Sequence, residues 1–242
     1  MDLKIKDVAD LLSVSETTIR RWLADGKIPA YKLNHQYRFS RIEIENWMLK
    51  CKLDLEKPYS SFSEDQIYPS KSQHERVSNR GGTQQFSLFR ALNKGDLLVD
   101  VEGKDKEEII KNTLNKVAPS LGVDADVVAE LFLDRERLMP TSLSNGVAVP
   151  HSRDFILKGP ASDMVVVVFL KQPIEYGALD GKPVHTMFFL FSSDDKRHLH
   201  LLAKIAHLSS CENTLKALST HSVKDSLLEF IKDWEGQLRN AF

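Results

Sequence analysis

Between Lys57 and Gln85 the chain reads KPYSSFSEDQIYPSKSQHERVSNRGGTQQ. Ser, Gln, Asn, Gly and charge dominate this stretch, and its scattered apolar residues follow neither the period of a strand nor that of a helix. Such a segment has no face to bury, so little offsets the entropy lost on ordering it. Structureless stretches of this length are uncommon inside a compact domain. The rest of the chain is therefore expected to fold as two separate modules, residues 1–52 and 86–242, with 53–85 as a flexible linker. A flexible coil of about 30 residues spans roughly 30 Å on average.

Composition narrows the function classes. Of 242 residues, 42% are hydrophobic and 28% charged, enough apolar material for packed cores and against global disorder. The formal net charge is −1, so any contact with nucleic acid must come from a local patch. Cys51 and Cys211 are the only cysteines, too few for a disulfide framework and in no metal-like spacing, which suits reduced thiols in a cytoplasmic protein. Acidic residues at Asp2, Asp7 and Asp10 interrupt what a signal peptide would keep apolar. The longest apolar run, Met164 to Leu170, is far short of the roughly 20 residues a membrane span needs. GxSxG, Walker A and GxGxxG are all absent, which leaves hydrolase, nucleotidase and dinucleotide readings without support.

In the first module, Ile5, Val8, Ala9 and Leu12 recur at helical spacing, and Ser13-Val14 makes a break. Ser15 then suits the N-cap of a second helix that buries Ile19, Trp22 and Leu23 and ends near Gly26. Tyr31, Leu33, Tyr37 and Phe39 alternate around Asn34-His35-Gln36, the pattern of a hairpin. The capping box Ser40-Arg41-Ile42-Glu43 opens a last helix carrying Ile44, Trp47 and Met48. Helix, turn, helix, hairpin and capped helix, with the segments SVSETTIRRW and GKIPA, resemble the winged helix-turn-helix DNA-binding domain of the excisionase and MerR type over residues 3–50. That resemblance implies a second helix in the major groove, with Ser15, Thr17, Thr18, Arg20 and Arg21 as contacts, and a wing contributing Lys32, His35 and Arg38. Residues 1–50 carry a net charge of only +2, so a single copy should bind weakly and two copies are implied, as a homodimer or on adjacent half-sites. The other reading of the same polar face is a solvated surface or a protein-interaction module.

In the second module, Ile109, Ile110, Leu114 and Val117 mark a helix over Lys106–Val117, and Val127, Val128, Leu131 and Phe132 another over Asp126–Leu138. GVAVP, MVVVVFL and HTMFFLF read as strands, with Asp180-Gly181 as a turn before the last. The Phe188, Phe189 and Phe191 cluster suits a core. Helices over Leu199–Leu208 and from Ser222 close the chain. Strands without alternation are buried on both faces, so the expected class is α+β or α/β, a layered domain with a mixed central sheet flanked by helices, behind a small winged head.

One histidine is held with unusual care. In SNGVAVPHSRD, Gly146 permits a tight approach, a short strand follows, and Pro150 fixes φ just before His151. An imidazole so placed can accept a phosphoryl group on nitrogen and pass it on. Phosphoryl transfer asks mainly for positioning and charge stabilisation, for which Arg135, Arg137, His198 and Thr141 are available. Spacing alone favours a structural, hydrogen-bonding histidine over an acceptor. His198, His200 and His207 lack a carboxylate or cysteine at ligand spacing, so no metal is assigned, and no cofactor is called for.

The segments LFLDRERL, SNGVAVPHSR, QPIEYGALDGKPV and HLHLLAKIA together resemble the enzyme IIA domain of the phosphoenolpyruvate-dependent sugar phosphotransferase system, of the mannitol/fructose and nitrogen-regulatory type, over residues 86–236. The resemblance implies that His151 is the phosphoryl acceptor, with Arg135 and His198 beside it and with Thr141, Asn145 and Gly146 in the supporting loop. Ser152, Ser144 and Met139-Pro140-Thr141-Ser142 depart from glycines the family commonly carries. A histidine phosphocarrier is the implied donor. Two roles stay open: a regulatory protein coupled to DNA binding, or a transport IIA carrier passing phosphate to an enzyme IIB. A scaffold in which His151 is never phosphorylated is a third.

Overall fold

A computed structural model describes residues 2–12, 14–54, 86–157, 162–178, 180–210, 215, 218 and 223–240, with the side chains of 2, 49–54 and 238–240 left aside. The chain divides into two compact units, Met1–Gly81 and Gly82–Phe242. The expected linker falls at 55–85 outside the described residues, as do Ser13, Cys211 and Ser222.

The first unit runs β1 (Asp2–Leu3), α1 (Ile5–Leu12), α2 (Glu16–Ala24), β2 (Tyr31–Leu33), β3 (Gln36–Ser40) and α3 (Arg41–Asp54). Ser15 caps α2, its hydroxyl accepting from the Thr18 amide at 3.1 Å, which satisfies one of the free N–H groups of the first turn. The hairpin turn is two residues, Asn34 and His35, both at positive φ; Gln36 already pairs with Leu33, so the tip is one residue tighter than the sequence pattern indicates. β1 pairs antiparallel with β3, giving a three-stranded sheet in the order β1-β3-β2. Val8, Ile19, Ile28, Phe39 and Ile44 are buried. Trp47 donates its indole N–H to the Lys27 carbonyl at 2.7 Å and lies 5.8 Å from the Trp22 ring, tying α3 to α2 and to the GKIPA loop. Tyr31 and Leu33 alternate as the sequence indicates, yet they stay 38% and 51% exposed, because β2 is an edge strand with nothing on its outer side within this small unit's sheet.

The second unit runs α4 (Ser87–Lys94), β4 (Leu97–Val101), α5 (Lys106–Leu121), α6 (Ala125–Leu138), β5 (Val147–Ala148), β6 (Met164–Ile174), β7 (Val184–Phe191), α7 (Asp195–Ser209) and α8 (Lys224–Asn240). The sheet order is β4-β6-β7-β5, with β6 and β7 antiparallel and both outer pairs parallel. Met164, Val166 and Val168 of β6 join Met187, Phe189 and Phe191 of β7 in a core with Ile109, Leu114, Phe132 and Leu133 of α5 and α6. The alternate residues Val165, Val167, Phe188 and Leu190 are also buried, and α4 packs on β6 and α7 on β7. Both faces are covered, so the strands need no polar alternation. This is the mixed, helix-flanked α+β layer read from the sequence.

Several boundaries differ from the expectation. α5 runs through Pro119, which sits in the last turn, to a C-terminal Gly122 at φ +65. The GVAVP strand shrinks to Val147–Ala148 plus an isolated pairing of His151 with Leu190, because Pro150 has no N–H to give the ladder. α4 and β4 were not foreseen.

Candidate functional site

His151 stands at the end of the outer strand β5. The Pro150 carbonyl accepts from the Leu190 amide at 3.0 Å, and the Val149 amide donates to the Thr141 carbonyl at 2.9 Å. The residue is thus held between β7 and the 141–143 segment. Its imidazole Nδ1 lies 2.7 Å from the Val149 carbonyl. A carbonyl only accepts, so Nδ1 carries a proton, and in the neutral ring the lone pair is then on Nε2. The ring of His198, in the first turn of α7, lies 4.7 Å away, centroid to centroid, at 63°. His198 Nδ1 in turn meets the Ser192 hydroxyl at 3.0 Å, just past the end of β7. The Ser192–Ser193 corner is fixed by Asp163, which accepts from the Ser193 amide and hydroxyl at 3.0 and 2.9 Å and pairs with Arg197. Two histidines 47 positions apart in sequence therefore share one place because β7 runs directly into α7.

The loop leading to β5 is bent by two consecutive residues at positive φ, Asn145 at +61 and Gly146 at +73. Asn145 accepts at its amide oxygen from Lys182 at 2.8 Å, donates its side-chain N–H to the Ser209 carbonyl at 3.2 Å, and gives its backbone N–H to Asp180 at 2.9 Å. Any Cβ at Gly146 would meet His185 Cδ2 at 2.5 Å and the Pro183 carbonyl at 2.9 Å. Burial holds the His185 imidazole below its ordinary pKa, with a smaller opposing contribution from a hydrogen bond to the Asn145 backbone. A neutral, packed ring is therefore what a new methyl group would strike. Gly146→Ala should cost about 1–3 kcal/mol of stability, from the left-handed φ together with this clash. A urea midpoint unchanged from the parent at equal m would count against that reading.

At the other end of the 139–143 segment lies a buried polar group that the sequence did not single out. Glu136 accepts from the Thr141 hydroxyl at 2.6 Å and from the Thr141 amide at 3.1 Å, and pairs with Lys106 at 3.2 Å. Thr141 also sits 3.4 Å from the Tyr176 hydroxyl. Burial, and then the Glu136 charge, hold the Tyr176 phenol well above its ordinary pKa, so it remains a neutral hydroxyl. Lys106 reaches the Tyr176 carbonyl at 3.3 Å and lies 5.2 Å over its ring. Only Thr141 of this group was flagged by the motif. The i+5 spacing from Glu136 to Thr141 was the available clue, but it crosses a helix end and belongs to no standard pattern.

Arg135, buried in the last turn of α6, donates to the Met139 carbonyl at 3.0 Å and so braces the same segment. Arg137, offered by the sequence as a further neighbour of the acceptor, instead lies on the exposed side of α6 and pairs with Asp134 at 2.8 Å and Glu130 at 3.3 Å. One turn of helix sends adjacent odd-numbered residues to different sides, which the linear motif does not convey.

In the first unit, Thr17, Arg20 and Arg21 are exposed along α2. Ser15 and Thr18 are partly occupied by the cap, their hydroxyls 2.9 Å apart. Arg20 pairs loosely with Glu16 at 3.6 Å, an exposed contact that costs little to release. On the wing, His35 is exposed at the turn, Lys32 lies 5.1 Å over the Tyr37 ring, and Arg38 donates to Gln36 at 2.7 Å and to the Tyr37 carbonyl at 3.1 Å. No helix among the described residues is long and apolar enough to cross a membrane.

Comparison with known proteins agrees with both halves. The family described as "Phosphoenolpyruvate-dependent sugar phosphotransferase system, EIIA 2" matches residues 90–234, and a helix-turn-helix domain family matches residues 3–52. A nitrogen regulatory protein of Pseudomonas aeruginosa is 32% identical over 149 residues, covering 60% of this chain and 95% of its own. One from Escherichia coli is 28% identical over 162 residues, covering 66% of this chain and 97% of its own. The crystal structure of nitrogen regulatory protein IIA-Ntr from Neisseria meningitidis superposes with a TM-score of 0.51 at 25% identity, over 57% of this chain and 92% of that one.

Proposed function

Since the chain belongs to the phosphotransferase-system EIIA family of nitrogen-regulatory type, joined to an N-terminal helix-turn-helix domain, we propose that His151 is its phosphoryl acceptor and that the head carries this state to DNA. The observation that carries the reading is the 2.7 Å contact between His151 Nδ1 and the Val149 carbonyl. With Nδ1–H given to the Val149 carbonyl, the nucleophilic lone pair is on Nε2. In the transfer, a bond forms between His151 Nε2 and phosphorus while the N–P bond of a phosphorylated histidine on the donor breaks, and the donor imidazole leaves. His198, one ring-width away and braced by Ser192, is suited to offer a proton to the phosphoryl oxygens. Arg135, buried in the last turn of α6 and bonded to the Met139 carbonyl, is the cation that the resemblance sets against the arriving negative charge. Asn145, Gly146 and Thr141 hold the backbone on either side.

The donor in this reading is a histidine phosphocarrier. Incubation with phosphoenolpyruvate, enzyme I and such a carrier should add one acid-labile phosphoryl group, seen by intact mass at neutral pH. No mass gain under conditions that label a control IIA protein would sink the reading.

On the DNA side, Arg20 and Arg21 sit on the exposed face of α2, and Arg38, His35 and Lys32 on the wing. Arg20→Ala or Arg21→Ala should weaken binding to a selected operator by roughly 1–3 kcal/mol where that arginine forks onto a base. Arg38→Ala should act evenly across sequences, as a phosphate contact does. Affinity should fall steeply between low and high salt as counterions are released. Selection from random duplexes with the full chain at two salt concentrations checks this. If no sequence is enriched, and both arginine variants bind bulk DNA like the parent, the head is a protein-interaction module.

A further inference from the structure

Hydrogen bonds connect the buried Glu136 to the imidazole of His151 through two stretches of backbone. Glu136 accepts from the Thr141 amide at 3.1 Å. The Thr141 carbonyl accepts from the Val149 amide at 2.9 Å. The Val149 carbonyl accepts from His151 Nδ1 at 2.7 Å. Each link is a donor–acceptor pair of ordinary length, and they run in one sense, from carboxylate to ring N–H. A second contact doubles the first link, since the Thr141 hydroxyl also donates to Glu136 at 2.6 Å.

We propose that Glu136 is a positioning residue for the acceptor, acting through Thr141 and Val149 to hold His151 as the Nδ1–H tautomer. Three features support it. First, the tautomer has to be held by something: free imidazole of a histidine side chain favours the proton on Nε2, which would place the lone pair on Nδ1, against the Val149 carbonyl. Second, what holds it is a carbonyl only two residues before His151, so its direction depends on the local backbone rather than on a side chain that could adjust. Third, that backbone is pinned from the 141 side. Thr141 and Val149 bond directly, and Ser142 and Ala148 form an isolated antiparallel bridge next to them. β7 anchors the same segment on its other side, through the Val147–Thr186 and Ala148–Met187 pairings and the Leu190 amide on the Pro150 carbonyl, so the 141 side is what remains to be fixed. Glu136 meets the requirement for a rigid anchor. It is buried, it stands in the last turn of α6, and Lys106 on α5 compensates its charge. The coupling is one of geometry, since the N–H and the carbonyl of Thr141 belong to two planar peptide groups joined at its Cα, as do those of Val149, so fixing one plane limits the other.

The phosphoryl-acceptor role of His151 is the premise here, but the state of the ring can be read without any transfer. The experiment uses the full chain with nitrogen-15-labelled histidine, its ring signals assigned by comparison with His151→Gln. The parent should show a His151 ring with a protonated Nδ1 and an unprotonated Nε2. In Glu136→Leu, which removes the acceptor of both Thr141 contacts, that ring should move toward the opposite tautomer or toward exchange between the two. Thr141→Val keeps the amide donor and loses only the hydroxyl contact, so its ring should move part of the way, and Thr141→Ser, which keeps both donors, should give the parental signals. Phosphoryl uptake from the carrier should follow, about 10–100-fold slower in Glu136→Leu, the usual scale for losing an outer group that orients a working histidine, and near parental in Thr141→Ser. Parental ring signals in folded Glu136→Leu overturn the proposal, and should that variant not fold, parental signals in both Thr141→Val and Glu136→Gln overturn it. If no variant nor the parent takes up phosphate, the functional reading falls, while the ring signals still decide the role of Glu136.

Discussion

The His151→Ala chain, mixed with phosphoenolpyruvate, enzyme I and a histidine phosphocarrier, should emerge with no acid-labile phosphate. Among the described residues the imidazole at 151 has its Nδ1 engaged by its own strand and a second imidazole at 4.7 Å, and neither feature survives truncation to a methyl group. His198→Ala should still label, but about 10²–10⁴-fold more slowly, the range for losing one positioned acid–base group. The two variants separate roles: the first loses the covalent intermediate, the second only the rate at which it forms. Quenched-flow labelling followed by mass analysis reads both. Persistent labelling of His151→Ala would move the acceptor elsewhere, and full-speed labelling of His198→Ala would reduce that ring to packing.

A large loss of a different kind is expected from Glu235→Ala. This buried carboxylate of α8 accepts from the Leu88 amide at 3.1 Å and the Phe89 amide at 2.9 Å, so it caps the start of α4 from the far end of the unit. It also pairs with Lys204 of α7. Burial, which outweighs the attraction of Glu235, holds the Lys204 ammonium below its ordinary pKa. Removing Glu235 takes the carboxylate away from a partly buried ammonium and from two helix N-terminal amides together. Breaking a buried pair by deleting one partner costs about 3–5 kcal/mol. Glu235→Gln, which still accepts from the amides, should lose less. Hydrogen exchange at Leu88 and Phe89 locates the effect: protection there should drop in Glu235→Ala, and unchanged protection would show that the cap contributes nothing.

These two predictions also mark where the sequence stops being readable. Ser15 could be assigned as a cap from the sequence because its partner, Thr18, is three residues away. The β6 and β7 strands announced themselves through β-branched and aromatic runs that both faces bury. The family resemblance supplied the pairing of His151 with His198, which no spacing rule would have given. Glu235 was invisible because its partners Leu88 and Phe89 lie 147 and 146 positions away. Glu136 was quoted inside a motif as the neighbour of Arg135, yet nothing local distinguishes a carboxylate that turns inward to Thr141 from one that faces water. Arg137 shows the opposite error, a charge credited to the site by proximity in sequence and sent outward by the helix. α4 and β4 were too short, at eight and five residues, for their periodicity to stand out.

The order of strands in the second unit also has a consequence for how the protein comes into being. β4 has no partner until β6 exists, since Leu97 pairs with Val167, and β5 has none until β7 exists, since Val147 pairs with Thr186. In the first unit every strand pairing closes within the first 40 residues. Contacts between sequence-distant segments form late because the intervening loop must first be closed. During synthesis the head can fold while the acceptor strand is still unmade, and His151 acquires its setting only after β7 has left the ribosome. A nascent or truncated chain ending before Val184 would thus carry a finished head without the setting of His151, and under the proposed function it would engage whatever the head recognises without answering to phosphoryl transfer.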